Sequence, residues 1–257
     1  MRRTFVIAEA AACHDGDPDK AARLIELAAD IGADACKFQW VSLPERLVER
    51  RRAPEYLIAY RDLAFPRSWF PALKRLCDEA GVEFMVTVYL PEDVSVIAPY
   101  VKRFKVASFE SEIGDLYYAF ARYHKAVLYS TGMDMVACPV GDGYRSIQRL
   151  HCVSAYPVPL DQMNLAVLRD SSYVGLSDHS RHPWTGALAV AAGAEVVEFH
   201  FRLLDTEPTN ADFAVAFEPE EAREYVANIR LAERMLGDGR KRVMLCEEPM
   251  LRYRVRS

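Results

Sequence analysis

The chain has 257 residues, enough for one large hydrophobic core with no need of a second domain. Its 51% hydrophobic and 27% charged residues match an ordinary globular domain and exclude disorder over most of the length. A formal charge of -5 argues against a general nucleic-acid surface.

The basic runs Glu49-Arg50-Arg51-Arg52 and Arg240-Lys241-Arg242 read as solvated loops and flanks, since no aromatic residues interleave them as a stacking platform. Six cysteines, Cys13, Cys36, Cys77, Cys138, Cys152 and Cys246, are scattered without a CxxC pair. They fit the reduced thiols of a cytoplasmic protein. The apolar start reaches Glu9 too early for a signal-peptide core, and no later run reaches membrane-spanning length without charge. Neither a membrane nor a nucleic-acid partner is expected.

Short β-branched or aromatic runs alternate with longer amphipathic stretches, the pattern of helices covering a parallel sheet. The first strand is expected at Thr4–Ala8, followed by a helix over Asp19–Ile31 that Gly32 stops. A second strand follows at Ala35–Trp40. Residues 41–66 are charged and irregular, and read as a long functional loop over one end of the fold. A helix over Arg67–Ala80 leads to a third strand at Glu83–Thr87. A short helix at Pro91–Ala98 precedes a fourth strand at Phe104–Ala107. A helix at Asp115–Tyr123 comes before a fifth strand at Ala126–Tyr129. The sixth and seventh strands fall at Arg149–Val153 and Tyr173–Leu176. A small-residue helix over Thr185–Ala192, an eighth strand at Glu195–His200 and a closing helix at Pro219–Leu236 complete the chain. Eight strands alternating with helices predict an α/β chain, a (β/α)8 barrel in one domain over residues 1–257. A doubly wound open sheet is its structural competitor.

The strand ends carry polar chemistry that a purely structural core does not need. Glu9 follows the first strand, Lys37 and Gln39 lie on the second, and Lys105 lies on the fourth. Ser177-Asp178-His179 follow the seventh strand, with Glu198 and His200 on the eighth. Each alone is explained by a satisfied structural contact. Their repeated placement points to a shared site on the C-terminal face of the barrel.

The resemblance to a known family begins at Ile7-Ala8-Glu9, His14-Asp15-Gly16-Asp17 and Gly32-Ala33-Asp34-Ala35-Cys36-Lys37-Phe38-Gln39. It continues through Phe104-Lys105-Val106-Ala107-Ser108-Phe109-Glu110, Ser130-Thr131-Gly132-Met133 and Leu150-His151-Cys152-Val153-Ser154-Ala155-Tyr156-Pro157. Gly175-Leu176-Ser177-Asp178-His179 and Val197-Glu198-Phe199-His200 complete it. In this order and over almost the whole chain, these segments resemble the catalytic TIM barrel of the sialic acid synthase family, which makes N-acetylneuraminate, legionaminate and pseudaminate. The resemblance implies a transferase that condenses phosphoenolpyruvate, as co-substrate, with a sugar aldehyde to give a nonulosonic or related 2-keto acid and phosphate. It also implies a divalent metal, commonly manganese, and a place in carbohydrate biosynthesis.

Carried over residue by residue, the resemblance implies His179 and His200 as metal ligands. Lys37, Gln39, Thr87, Lys105, Ser108, Ser130, Thr131 and Ser177 are implied on the phosphoenolpyruvate and phosphate side. Cations and neutral donors at such positions offset phosphate or carboxylate charge and fix its orientation. Glu9, Glu110 and Asp178 are the candidate catalytic groups, for proton handling, water positioning or orienting a ligand. Ser154, Tyr156 and Asp212 fall on the sugar side.

Three departures from the family pattern bear on specificity. Val88-Tyr89-Leu90 replaces the usual Pro-Phe-Asp, Ser154 stands where Asn is frequent, and Thr209-Asn210-Ala211-Asp212-Phe213 differs from the usual Gly-Pro-Asp-His. All three lie near the inferred acceptor. The barrel is expected without the C-terminal antifreeze-like domain of many relatives, whose arginine covers the partner's sugar pocket. Arg252, Arg254 and Arg256 are not assigned that role. A homodimer of barrels is left open. Two other readings compete: a metal-dependent lyase or aldolase that does not consume phosphoenolpyruvate, and a catalytically degraded scaffold that binds sugar phosphates.

Overall fold

The computed structural model describes residues 3–133, 147–170 and 172–255. Cys138 and Arg256 lie outside them. Eight parallel strands close into a barrel: β1 (Phe5–Ala11), β2 (Ala35–Trp40), β3 (Glu83–Val88), β4 (Arg103–Val106), β5 (Ala126–Thr131), β6 (Ile147–Cys152), β7 (Tyr173–Asp178) and β8 (Val196–His200). Each pairs with its neighbour in sequence, and β8 returns to β1 through Phe5–Glu9 against Val196–His200. This is the (β/α)8 architecture, and it excludes the open doubly wound sheet.

The helices are α1 (Pro18–Asp30), α2 (Pro44–Arg51), α3 (Leu57–Asp62), α4 (Trp69–Ala80), α5 (Val94–Ile97), α6 (Gly114–Ala121), α7 (Thr185–Ala191) and α8 (Pro219–Leu236). The start of α1 is fixed by Pro18 in its first turn and by the Asp17 side chain, which accepts the Asp19 N–H at 2.8 Å. Its apolar stripe, Ala21, Leu24, Ile25 and Ala28, is buried against the barrel. The start of α8 is closed reciprocally by Glu218 and Glu221. Residues 41–66 correct the sequence expectation, because they hold two short helices, α2 and α3, where an irregular loop was expected. Between β6 and β7 the outer layer is reduced to 3-10 turns at Leu160–Gln162 and Leu165–Arg169. Among the described residues no helix is long and apolar enough to cross a membrane.

Strand alternation sorts the side chains into two cores. Val6 and Ala8, Cys36 and Phe38, Phe84 and Val86, and Val197 and Phe199 face outward into the helix layer and form the main core. The opposite set points inward. Its lower layer is apolar, with Ile7, Ala35, Met85, Leu128, Leu150 and Val196 packed together. Two residues further along the same strands come Glu9, Lys37, Thr87, Ser130, Cys152 and Glu198. The apolar layer is thus a floor, and the polar layer above it opens at the C-terminal end. Below the floor, Arg103 pairs with Glu83 at 2.8 Å and covers the Phe5 ring at 4.4 Å.

Gly175 marks where β7 and β8 are pressed tightest. A Cβ there would lie 1.8 Å from the Val196 carbonyl oxygen. Gly175→Ala is therefore expected to destabilise the barrel by ~3 kcal/mol or more through overpacking against backbone. Equilibrium urea unfolding measures this, and a loss below about 1 kcal/mol would show that the strands separate more easily than this contact implies.

Candidate active site

The inward polar layer gathers charges that rarely share a protein interior. Lys37 Nζ is ion-paired with Glu9, donates to Thr87 Oγ1 at 2.8 Å and lies 3.6 Å from Glu198. Lys105 Nζ lies 3.3 Å from the other oxygen of Glu198 and donates to Ser130 Oγ at 2.8 Å. Ser177 Oγ donates to that same Glu198 oxygen at 3.0 Å. All four charged side chains are essentially buried. Burial is the main force on Lys37 and pushes it down to about 7, with Lys105 adding repulsion and Glu198 opposing both. For Glu198, burial alone would raise the carboxyl. The fields of Lys105, Lys37 and His200 overcome it and hold Glu198 below the ordinary glutamate value.

Above this layer stand two imidazoles with ring centroids 5.3 Å apart. His179 Nδ1 is 2.9 Å from the Val153 carbonyl oxygen. His200 Nδ1 is 3.2 Å from Asp212 Oδ1, a close approach without hydrogen-bond alignment. In His179 an oxygen thus engages Nδ1 and leaves Nε2 as the remaining nitrogen, the second-shell arrangement of a histidine ligand, and in His200 a carboxylate oxygen stands on the same Nδ1 side. Burial first, then the neighbouring His200, lowers His179 to about 3, so its neutral form persists. Asp212 is held below the ordinary aspartate value, because His200 and other neighbours outweigh its burial. Tyr156 closes the rim with its ring 4.2 Å from that of His179. The donor set, two imidazoles beside a carboxylate, fits a borderline divalent ion. Among the described residues no group of three or more His, Cys, Asp or Glu converges to hold a metal by itself. Such an ion would therefore need water or substrate oxygens as further ligands.

Most of the expected site residues meet in this pocket: Glu9, Lys37, Gln39, Thr87, Lys105, Ser108, Ser130, Tyr156, Ser177, His179 and His200 line it. Ser154 stands behind them and donates to Ser108 Oγ at 2.8 Å. The close passage of Gly132 keeps this corner compact, since a Cβ there would meet Ser154 Oγ at 2.3 Å. Glu110 does not line the pocket: it is buried two residues beyond Ser108 and bound by Arg51. Two expectations are corrected. Asp178 faces the helix layer, where it accepts from Tyr225 at 2.6 Å and from the Ser180 N–H at 2.8 Å. Thr131 points away from its inward neighbour Ser130 and reaches the Leu150 carbonyl at 3.3 Å. Both follow from strand alternation, which sends adjacent residues to opposite faces.

Glu198, expected at the shared strand-end site but given no role there, lines the pocket, and so does Cys152, which was not among the expected site residues. Burial lifts the Cys152 thiol to about 11, an inert rather than a reactive sulfur. A larger hollow of about 660 Å³ lies outside the barrel beside Arg46, Glu92, Asp115 and Arg122. It contains none of the strand-end chemistry.

The NeuB family profile matches residues 24–241. The chain belongs to the NeuB family. Among sequence relatives, it is 34% identical to a protein of Methanocaldococcus jannaschii, covering 96% of this chain and 76% of that one. It is 31% identical to the N,N'-diacetyllegionaminic acid synthase of Campylobacter jejuni, covering 96% and 82%. The N-acetylneuraminic acid synthetase of Leptospira borgpetersenii, solved with citrate, superposes with a TM-score of 0.87 at 28% identity over 98% of this chain and 91% of that one. A truncated 3-deoxy-D-arabino-heptulosonate 7-phosphate synthase of Thermotoga maritima, 14% identical with a TM-score of 0.68, shares the fold alone. NeuB-family membership places the chain among synthase-type enzymes with phosphoenolpyruvate-dependent condensation chemistry.

Two predictions concern the buried ionisable groups. Glu198→Ala leaves Lys37 and Lys105 short of negative charge and is expected to cost ~3–5 kcal/mol of stability. Adding Lys105→Met should recover a large part of that loss in urea unfolding, and purely additive losses would break the proposed coupling.

The second concerns His14, which is buried against Phe65 and Trp69 and lowered by burial to about 4. Its folded value lies below the unfolded one of 6.5. The unfolded chain therefore takes up the proton first, and stability is lost as pH falls from about 6.5 toward 4. The stability advantage of the unaltered protein over His14→Gln should shrink by ~1–2 kcal/mol between pH 7 and pH 5. Parallel acid profiles would refute this.

Proposed function

We propose that the protein condenses phosphoenolpyruvate with a sugar aldehyde to give a nonulosonic or related 2-keto acid and inorganic phosphate. The observation that carries this reading is the pair of buried lysines on one glutamate, ringed by Thr87, Ser130 and Ser177 hydroxyls and roofed by two imidazoles. A ligand bearing both phosphate and carboxylate needs concentrated positive charge with neutral donors to orient it. Family membership and the likeness to synthases of legionaminic and neuraminic acids support the same chemistry.

The pocket keeps only about 30 Å³ of free space, because its lysines are folded onto Glu9 and Glu198. An entering anion must draw Lys37 and Lys105 away from those carboxylates. The depressed value of Lys37 makes this favourable, since phosphate charge supplies the stabilisation that burial removes from the ammonium. Gln39 and Ser108 add neutral donors on the same wall. His179 and His200, with Asp212 behind the latter, would hold a divalent ion such as manganese. When bound, that ion polarises the aldehyde oxygen.

Carbon C3 of phosphoenolpyruvate then bonds to the aldehyde carbon, and the aldehyde oxygen takes a proton to become a hydroxyl. Water adds to C2, the C–O bond to phosphorus-bearing oxygen breaks, and phosphate leaves as C2 becomes the ketone. Glu9, whose Oε1 accepts the Ala11 N–H at 2.9 Å, orients that water and receives its proton. Ser154, Tyr156, Glu110 and Asp212 lie on the side where the sugar enters.

The test is phosphate release from phosphoenolpyruvate across aldehyde sugars and divalent metals, with mass detection of the condensed acid. Phosphate and acid are expected in equal amounts, and His200→Ala should lower both by ~10²-fold or more while the protein stays folded. Carbon–carbon bond formation or cleavage without phosphoenolpyruvate loss would favour a lyase or aldolase. Ligand binding without turnover under every metal would favour a binding scaffold.

A further inference from the structure

Helices α2 and α3 lie over the mouth of the barrel on an apolar cluster of their own. Leu47, Tyr60 and Leu63 pack there with Val41, Tyr89 and Leu90, which stand just past the C-terminal ends of β2 and β3. From the last turn of α2, Arg51 reaches into this seam. Its Nε donates to Glu110 Oε1 at 2.8 Å, one terminal nitrogen is ion-paired with the same oxygen at 2.6 Å, and its other terminal nitrogen donates to the Tyr60 hydroxyl at 2.9 Å. The guanidinium carbon lies 5.0–5.1 Å from the rings of Tyr60, Tyr89 and Phe109. A planar cation among aromatic rings and hydrogen-bonded at both ends has one orientation available.

Glu110 is 1% exposed and follows the pocket residue Ser108 by two positions. Arg51 satisfies only one of its oxygens. Oε2 is equally buried and has no hydrogen-bond partner among the described residues. A buried carboxylate oxygen without a donor is unfavourable unless a ligand supplies one. The seam also connects to the pocket through Tyr89, whose hydroxyl donates to Gln39.

We propose that Arg51 is a positioning residue for the acceptor: by gripping Oε1 of Glu110 it fixes the carboxylate with the unpartnered Oε2 left to accept from a hydroxyl of a polyhydroxylated aldehyde. The aldehyde class rests on the condensation reading above, whereas the grip on Glu110 stands on its own geometry. Burial tends to protonate Glu110, and Arg51 is the leading opposing influence. Lysine cannot replace it fully, because a single ammonium does not span the same fork.

The test uses Arg51→Met, Arg51→Lys and Glu110→Gln in the full chain with manganese. Arg51→Met should raise KM for the acceptor by ~10-fold or more, the effect of losing a charge-assisted contact. KM for phosphoenolpyruvate should stay within about twofold, since uniform disruption of the pocket would move both. Arg51→Lys should regain only part of the loss, and it carries the same readout if Arg51→Met fails to fold. The Arg51→Met/Glu110→Gln double variant should be no worse than the poorer single variant. Equal rises in both KM values, or additive losses, overturn the proposal.

If the unaltered protein consumes no phosphoenolpyruvate with any sugar, the condensation reading fails. Calorimetry with the reduced, unreactive alditols of the same sugars then tests Arg51 separately. Weakening of alditol binding by ~10-fold or more in Arg51→Met supports it. Unchanged binding, or no alditol binding by the unaltered protein, overturns it.

Discussion

Two lysines inside a closed barrel constrain everything around them. Lys37 and Lys105 are withdrawn from water on adjacent sides of the same layer, and an ammonium there is tolerated only with opposite charge and hydrogen-bond acceptors at hand. Glu9 and Glu198 supply the charge, while Thr87 and Ser130 supply acceptors. The balance is two against two. Such a cluster gives little stability for its desolvation cost, so its presence in place of an apolar layer indicates that the charges have work to do.

The strand register makes that layer physically possible. Glu9 pairs in register with Lys37 on one side and with His200 on the other, so the β8-β1-β2 seam sets a carboxylate between an ammonium and an imidazole. Ser177 is level with Glu198 across β7 and β8. Thr87 is level with Lys105 across β3 and β4. One residue of slip at any of these seams would turn a charge into the helix layer and an aromatic ring into the pocket. The close approach at Gly175 helps to hold the β7–β8 register.

Much of this was legible in the sequence, and the failures have identifiable causes. The β2 strand Ala35–Trp40 and the α8 helix Pro219–Leu236 fall at their expected limits. Both have sharp local signals: a compact run of alternating large residues in one, and an N-terminal proline with an acidic first turn in the other. Helices α2 and α3 were missed because eight and six residues are too few to establish a period, especially with charged residues filling the exposed face. Asp178 was carried over with the Ser177-Asp178-His179 segment of the family resemblance. Its place between two inward residues is the reason it points the other way, since the two-residue period of a strand sends neighbours to opposite faces. Arg51 was read as part of a solvated basic run. Nothing local marks it, since Glu110, Tyr60 and Tyr89 reach it only through the fold.

The pocket therefore has two kinds of wall. On one, Lys37, Thr87, Lys105, Ser130 and Glu198 project from β-strands of a closed barrel, where a substitution disturbs both charge balance and register. On the other, Arg51 comes from a short helix, Glu110 and Tyr156 from turns past strand ends, and Asp212 from the connection after β8. That connection is held by Asn210, which binds the Ala12 carbonyl and Asp15, both at 2.9 Å. Loop-borne groups can change without unbalancing the buried cluster. Three departures from the family pattern, at Val88-Tyr89-Leu90, at Ser154 and at Thr209–Phe213, fall on this second wall or beside it. Tyr89 shows what such a change can build, because its ring forms one side of the cage around Arg51 while its hydroxyl reaches Gln39. On the proposed condensation, the rigid wall would suit a co-substrate whose chemistry does not vary, and the adjustable one an acceptor that does.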